Sequence, residues 1–315
     1  MGKAAHKAAG LMLAFSVFVT IEGVLRIINA IAAGREDWDG NADADPPRFA
    51  PIVLLLAALT EVVFGIVGIG TSLAALIYGF HNPMLTAFTF GVELCGWFTF
   101  IVFVFAKPAW ETNHADGSLH GPDYSEKQSD GLTVLGILGS VAYCASMQGG
   151  QVFFTLQLLA IQKGEEEKHT SGFYRARHVY YSFLLLLGAV SGLAFGAMVY
   201  DNSGDGQLIP PVVQPPWFVV YPELTITFSV VTLVVALACL VRAATGMTGG
   251  TAVIGGALAV SWLLQLTMMV ITQLALLNSN QGVNRTFVGG MLVVLSLALH
   301  IMPAFLDREM GKADD

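Results

Sequence analysis

Four charged side chains lie inside stretches of this sequence that are otherwise almost wholly apolar. Glu22 and Arg26 interrupt the first such stretch, Glu61 the second and Glu93 the third. A charge at the centre of a bilayer costs about 3 kcal/mol on insertion scales, so it is retained where it has a partner or a use. Desolvation also favours the protonated form of a carboxyl group. These residue types therefore predict the binding of a proton or of a cation.

Two interpretations of these charges stay open on the sequence alone. Glu22 and Arg26 are four residues apart and share a helix face, so they can pair. That pairing leaves Glu61 and Glu93 without an obvious basic partner. In the first interpretation, the carboxylates form the ion site of a proton- or cation-coupled channel or transporter. In the second, they are polar clamps that join helices through hydrogen bonds, each contributing about 0.6–2 kcal/mol.

Glutamine side chains in two further apolar stretches can be interpreted in the same two ways. Gln148 and Gln151 are three residues apart in the fourth stretch and share a helix face, and Gln265 lies in the seventh. Such amides either line a polar path or form hydrogen bonds between helices.

The helices that must position these residues follow from composition. The chain is 55% hydrophobic and 12% charged, whereas a soluble domain has roughly 25% charged residues. This composition predicts an all-α, polytopic integral membrane protein. The third helix is predicted to end at Lys107-Pro108, because a proline does not fit inside a helix. Eight apolar stretches long enough to span a bilayer lie at residues 8–33, 49–80, 84–106, 131–162, 178–200, 218–244, 250–278 and 286–306.

An internal repeat relates the two halves of the chain. Pro46-Pro47 precedes the second stretch and Pro215-Pro216 precedes the sixth, 169 residues later, and each follows an acidic, glycine-containing loop. We predict two tandem four-helix repeats, at residues 1–165 and 166–315. Each repeat has an even number of helices, so the two repeats point the same way in the membrane.

A glycine stripe in the fifth stretch supports the structural interpretation. Gly188, Gly192 and Gly196 are spaced by four residues, which places them on one helix face and allows a neighbouring backbone to approach closely. With exposed aromatic faces, this stripe would serve lateral self-assembly of a non-enzymatic structural membrane protein. We expect the protein to form a homo-oligomer in the lipid bilayer.

Four-helix units with short loops and intramembrane acids resemble the tetraspan families, including claudin-like and tetraspanin-like proteins, in architecture only. Those families depend on cysteines in an outer loop, whereas Cys95, Cys144 and Cys239 all lie in apolar stretches here. The resemblance therefore implies an arrangement of helices and no disulfide framework.

The distribution of basic residues predicts the orientation. With the N-terminus inside, nine Lys and Arg side chains lie in inner segments and five in outer segments. Because cytoplasmic loops are enriched in Lys and Arg, both termini are predicted to be cytoplasmic, most naturally at the plasma membrane. The net charge of −8 comes mostly from loop acids and does not predict nucleic-acid binding.

One outer loop resembles the first half of a calcium-binding loop. Asp201, Ser203 and Asp205 stand at alternating positions before Gly206, but Val212 replaces the glutamate that usually completes such a site. We expect weak Ca²⁺ binding there at most, and a solvated loop is the alternative. No nucleophile motif, phosphate-binding loop or histidine-rich metal motif occurs, so neither an enzyme nor a cofactor is predicted.

Overall fold

The computed structural model describes residues 2–39, 49–79, 82–113, 126–164, 171–203, 221–247, 249–278 and 297–310. These residues form helices and short helix-terminal turns, with no strand among them. The helices are α1 (Lys3–Asp39), α2 (Phe49–Tyr78), α3 (Pro83–Asn113), α4 (Glu126–Gln162), α5 (Ser171–Ser203), α6 (Tyr221–Thr245), α7 (Thr251–Asn278) and α8 (297–310).

The prediction of an all-α chain is confirmed for the described residues, since a helix lies in each of the eight apolar stretches. Among the residues that the structure describes, three segments are long and apolar enough to cross a membrane: Lys3–Ile28 in α1, Leu55–Tyr78 in α2 and Glu223–Thr245 in α6. Thr251–Thr267 in α7 is a shorter apolar segment. By length and composition, the chain is therefore a membrane-associated helical protein.

Two helix ends show how local sequence sets the boundaries. Asn82 caps α3, because its Oδ1 accepts a hydrogen bond of 3.0 Å from the backbone N–H of Met84, and Pro83 occupies the first helical position. At the end of α6, Gly246 adopts a φ of 73° and its N–H donates to the carbonyl of Arg242 at 2.8 Å. Glycine adopts this left-handed conformation without a Cβ penalty.

Two helices continue through prolines, one of which was expected to end its helix. The predicted end of α3 at Lys107-Pro108 is wrong, because the helix continues to Asn113. Likewise, α8 extends past Pro303 to residue 310. A proline inside a helix removes one backbone hydrogen bond, and its ring crowds the carbonyl four residues earlier. Beyond Pro303, the ion pair of Asp307 described below ties α8 to α6. An apolar stretch therefore marks the part of a helix suited to lipid, not its full length.

The chain divides into two compact units. The first unit comprises residues 1–110 and 144–169, and contains α1, α2, most of α3 and the C-terminal part of α4. The second unit comprises residues 111–143 and 170–315, and contains the N-terminal part of α4 together with α5 to α8. Within the first unit α1 packs along α2, and within the second unit α5 packs along α6. The repeat boundary between residues 165 and 166 stays a prediction.

Glycines bring the backbones of α1 and α2 into direct contact. A Cβ on Gly23 would lie 2.8 Å from Val62 Cγ2 and 3.0 Å from the carbonyl oxygen of Ala58. A Cβ on Gly65 would lie 2.8 Å from the backbone nitrogen of Thr20 and would also overlap its hydroxyl. Because lipid provides no hydrophobic drive for helix association, such close packing of small residues is what holds these helices together.

We expect Gly65→Ala to lower the free energy of unfolding by about 1–3 kcal/mol, since the added methyl group forces apart two packed backbones. Gly70→Ala is the matched control on the same helix, because a Cβ there meets no atom within 4 Å. The control variant should be as stable as the wild type or slightly more stable. Thermal unfolding in detergent measures both, and equal stabilities of the two variants would contradict the close approach.

The outer surface of the helices is apolar, whereas several interior positions are charged. On α6, Val230, Val234, Leu237 and Val241 are exposed and follow one another at helical spacing on one face. Soluble proteins rarely expose apolar patches of this extent. Charges inside and aliphatic side chains outside are the arrangement suited to a lipid environment.

Candidate functional site

Glu22 and Arg26 form a buried ion pair on one face of α1. Their side chains are 0% and 9% exposed, and Arg26 Nη2 donates a hydrogen bond to Glu22 Oε1. The four-residue spacing places both groups on the same helix face, as the sequence predicted. The second carboxylate oxygen of Glu22 has no hydrogen-bond partner among the described residues.

The same guanidinium also faces Glu61 on α2. Arg26 Nε lies 3.4 Å from Glu61 Oε2, and Glu61 is 1% exposed. The expectation that Glu61 lacks a basic neighbour is therefore wrong. Gly23 and Gly65 permit this contact, because they allow α1 and α2 to approach closely enough for side chains on the two helices to meet. Two buried carboxylates thus share one guanidinium.

Gln148 on α4 adds a hydrogen-bond donor to this cluster. Its Nε2 donates to Glu61 Oε1 at 3.2 Å, and the residue is 4% exposed. The amide oxygen of Gln148 is buried and has no hydrogen-bond partner in the described part of the chain. Glu22, Arg26, Glu61 and Gln148, from three helices, are called the charged cluster below.

One helical turn further along α4, Gln151 connects to α1 and α2. Its Nε2 lies 3.1 Å from Ser16 Oγ and 3.3 Å from the carbonyl oxygen of Phe64, and the residue is 2% exposed. That carbonyl is one turn beyond Glu61 on α2. Both predicted glutamines therefore bond to α2, and Gln151 also bonds to α1.

Glu93 on α3 is bound separately. Thr155 Oγ1 on α4 donates to Glu93 Oε1 at 2.9 Å, and Glu93 is 2% exposed. Its second oxygen is buried and has no hydrogen-bond partner among the described residues, nor does any basic side chain there pair with it. Glu93 is therefore a carboxyl group without a compensating positive charge in the part of the chain that the structure describes.

Gln148, Gln151 and Thr155 line one face of α4 and are called the polar column below. Their spacing of three and then four residues repeats with the helical period. Seven residues of helix rise about 10 Å, so the column extends from the charged cluster to Glu93. Thr155 was not among the predicted site residues, although its position four residues after Gln151 places it on the same helix face.

Gln265, the third predicted polar-path residue, belongs to the second unit rather than the first. Its Nε2 donates to Thr232 Oγ1 at 3.3 Å, and Thr232 Oγ1 lies 2.8 Å from Ser261 Oγ. Ser261 Oγ in turn lies 3.3 Å from His300 Nε2. The second unit thus contains its own chain of polar side chains, in which Gln265 forms a hydrogen bond between α7 and α6.

Two glycines of the stripe on α5 lie against helices of the second unit. A Cβ on Gly192 would lie 2.6 Å from Ser229 Oγ on α6. A Cβ on Gly188 would meet Ala142 and Leu299 at ordinary contact distances of 3.6 and 3.8 Å. Gly196 lies one turn further along α5.

The calcium candidate is described only in part. Asp201 and Ser203 lie in the last turn of α5, and Asp205 lies outside the described residues. Within the described residues, no group of three or more His, Cys, Asp or Glu side chains could hold a metal ion. Weak Ca²⁺ binding at this loop stays a prediction.

A second buried ion pair joins α6 to α8. Arg242 Nε and Nη2 donate to the two oxygens of Asp307 at 2.9 and 3.0 Å, which is a bidentate arrangement. Arg242 also donates to the carbonyl of Gly249, and Arg175 on α5 donates to the carbonyl of Ala243 at 2.8 Å. The bond from Arg175 satisfies one of the last carbonyls of α6, and the bonds of Arg242 tie the end of that helix to α8 and to the turn before α7.

Comparisons of the chain with protein-family models, with curated proteins and with solved structures find no match.

Proposed function

We propose that this protein is a proton- or cation-coupled channel or transporter, with Glu22, Glu61 and Glu93 as its ion-binding carboxyl groups. The proposed chain spans the membrane eight times, with both termini in the cytoplasm and most naturally in the plasma membrane. The role is non-enzymatic and requires no cofactor. A homo-oligomer in the bilayer is part of the same proposal.

The observation that carries this proposal is the imbalance of buried charge. With all groups ionised, the charged cluster has two negative charges and one positive charge, and Glu93 adds a third negative charge. Each carboxylate is at most 2% exposed. Desolvation of an unpaired charge is so costly that the group binds a proton or a counter-ion instead. The first unit therefore has places for up to two protons or monovalent cations.

The donors around the carboxylates favour the proton over a metal cation. Glu61 faces the Nε2 group of Gln148 and the guanidinium of Arg26, and Glu93 faces the hydroxyl of Thr155. Hard cations require several oxygen ligands, typically six or more. Hydrogen-bond donors and a neighbouring positive charge oppose the coordination of a metal cation. A carboxyl group that gains and loses a proton is compatible with both the donors and the positive charge.

The polar column supplies the connection that proton movement requires. It places the Gln151 amide and the Ser16 hydroxyl between the charged cluster and Glu93. The amide oxygen of Gln148 and one carboxylate oxygen of Glu93 have no hydrogen-bond partner among the described residues, and a water molecule could donate a hydrogen bond to each. A path about 10 Å long would therefore need only a few waters to link the two carboxyl sites.

Equivalent close approaches of glycines in the two units support the tandem repeat. Gly23 meets Val62 and Ala58, where α1 packs against α2, and Gly192 meets Ser229, where α5 packs against α6. Gly192 is the counterpart of Gly23 at the repeat offset of 169 residues. The same offset places Ser229 within the segment between Ala58 and Val62. A glycine thus makes the corresponding close approach in each proposed repeat.

A second candidate function is a structural membrane protein that assembles laterally. The specific observation in its favour is that the hydrogen bonds of Glu61 to Gln148 and of Glu93 to Thr155 each join two helices, as clamps would. Electron microscopy of the protein reconstituted at a high protein-to-lipid ratio distinguishes the candidates. Ordered arrays would favour the structural role, and dispersed single molecules would exclude it.

Reconstitution of the purified protein into liposomes with an internal pH dye tests the transport proposal. A potassium diffusion potential, negative inside, should drive proton entry and acidify the lumen of liposomes that contain the protein, but not of empty ones. Exchange of external sodium for an impermeant organic cation, at constant external potassium, should leave the rate unchanged. The absence of both proton and cation flux under any potential, cation gradient or pH gradient would overturn the proposal.

A further inference from the structure

A row of polar side chains follows one face of α3 from the start of the helix to Glu93. Asn82 caps the helix, and Thr86, Thr89 and Glu93 follow at spacings of four, three and four residues, which is the helical period. Thr86 is 1% exposed and Thr89 is 0% exposed. These four residues are called the α3 row below. Eleven residues of helix rise about 16 Å, so the row connects the end of the helix with a buried carboxyl group.

Hydroxyl groups on α2 lie against the middle of this row. Thr71 Oγ1 lies 2.7 Å from Thr89 Oγ1, and Thr71 is buried. The next residue, Ser72, is also buried and donates to the carbonyl oxygen of Gly68 at 2.7 Å. A Cβ on Gly68 would lie 2.5 Å from Gln151 Nε2. The hydroxyls of α2 therefore lie about one helical turn from the polar column.

Beyond Glu93, the same face of α3 carries side chains that cannot relay a proton. Gly96, three residues further along, is packed against the ring of Phe64, which a Cβ on Gly96 would overlap. Trp97, four residues further along, has an indole N–H donor and no acceptor. On this face of α3, the side chains that can both donate and accept a hydrogen bond therefore lie on the Asn82 side of Glu93.

The hydroxyls of the α3 row have the chemistry that a proton relay requires. A hydroxyl group can accept one hydrogen bond while it donates another, so it can pass a proton in either direction. Thr86 Oγ1 donates to the carbonyl oxygen of Asn82 at 3.3 Å, and Thr89 Oγ1 donates to that of Leu85 at 3.0 Å. Side chains one turn apart on a helix face have Cβ atoms about 5–6 Å apart, and one water can bridge such a gap.

We propose that Glu93 exchanges its proton with water at the Asn82 end of α3, through the α3 row, with Thr89 and Thr71 as the relay nearest to the carboxyl group. In the orientation proposed above, this end faces the cytoplasm. In each step one O–H bond breaks as another forms, and no other covalent bond changes. The inference rests on the proposed function, because it gives the access route of one of its carboxyl groups.

The relay does not depend on which hydroxyl of the Thr71–Thr89 pair donates to the other, because each can donate and accept. The pair is also what a clamp between α2 and α3 would form. A clamp accounts for the pair alone. It does not account for the buried hydroxyl of Thr86, which bonds within α3, or for the continuation of the row to Asn82.

Infrared spectroscopy after a rapid change from H₂O to D₂O tests this route. The protonated-carboxyl band of Glu93 is identified by its loss in Glu93→Gln, and the time course of its shift gives the rate of proton exchange. Thr89→Val keeps the shape of the side chain and removes the hydroxyl. We expect it to slow the exchange about 10-fold or more, which is less than the loss of an acid–base group costs, because water can partly replace a hydroxyl. Thr89→Ser should retain the wild-type rate.

Thr99→Val is the matched control. Thr99 is the same residue type on α3, but it lies on a different face and donates to the carbonyl oxygen of Cys95 in its own helix at 3.0 Å. This variant should exchange at the wild-type rate. Thr71→Val, which removes the other hydroxyl of the pair, is the second test variant and should also slow the exchange. Thermal unfolding in detergent reports whether each variant is folded.

The outcomes separate the route from the transport proposal. Wild-type exchange in folded Thr71→Val or Thr89→Val would overturn the route and leave the threonines as a clamp, whatever flux the liposomes show. Slowed exchange in these variants would support the route even in a protein without flux, which would overturn transport alone. If no protonated band is lost in Glu93→Gln, the group holds no proton to exchange, and the route is overturned as well.

Discussion

Glu61→Gln is expected to reduce proton entry into liposomes by about 100-fold or more, while the protein remains folded. The substitution preserves the size of the side chain, and an amide can still contact Gln148. However, an amide cannot take up and release a proton near neutral pH, and the loss of a proton-transfer group typically costs about 10²–10⁴ in rate. The internal-dye assay measures the rate, and thermal unfolding in detergent reports the folded state.

Glu223→Gln is the control for this prediction. Glu223 is an exposed carboxylate in the first turn of α6, so its removal changes the net charge equally without touching the charged cluster. This variant should retain the wild-type rate. Glu93→Gln should lose flux as Glu61→Gln does, because both carboxyl groups lie on the proposed path. Wild-type flux in both Glu61→Gln and Glu93→Gln would show that these carboxyl groups act only as clamps between helices.

The largest expected effect on stability comes from Arg26→Gln. This change leaves two buried carboxylates, Glu22 and Glu61, with no guanidinium beside them. Removal of one partner of a buried ion pair typically costs about 3–5 kcal/mol, because an uncompensated charge remains. We therefore expect a marked fall in the unfolding temperature of the detergent-solubilised protein at neutral pH.

The double variant Glu22→Gln, Arg26→Gln tests the reason for that loss. It removes one negative and one positive charge together, so the excess charge of the cluster returns to the wild-type value. We expect it to be clearly more stable than Arg26→Gln alone, with the coupling read from a double-mutant cycle. Strictly additive losses would show that the guanidinium contributes packing rather than charge compensation.

The parts of this structure that sequence could predict are local. The all-helical fold follows from apolar stretches of sufficient length, and the pairing of Glu22 with Arg26 follows from their four-residue spacing. The helix start at Asn82 and the end at Gly246 are likewise set by neighbouring residues. Each of these features depends on the helical period or on the backbone preference of one residue.

The parts that sequence could not predict depend on which helix faces meet. Gln148 bonds to Glu61 across 87 residues and Thr155 to Glu93 across 62. The helical period shows which residues of one helix share a face, but it does not show which face of another helix packs against them. The chain that ends at His300 in the second unit was missed for the same reason.

The central claim is that the buried carboxyl groups exchange protons with water. Infrared spectroscopy of the protein in lipid tests it directly, because the C=O stretch of a protonated carboxyl group shifts when H₂O is replaced by D₂O. We predict a protonated-carboxyl band that shifts in D₂O and is lost in part in Glu61→Gln or Glu93→Gln. A spectrum without such a band, or a band that D₂O leaves unchanged, would contradict the claim.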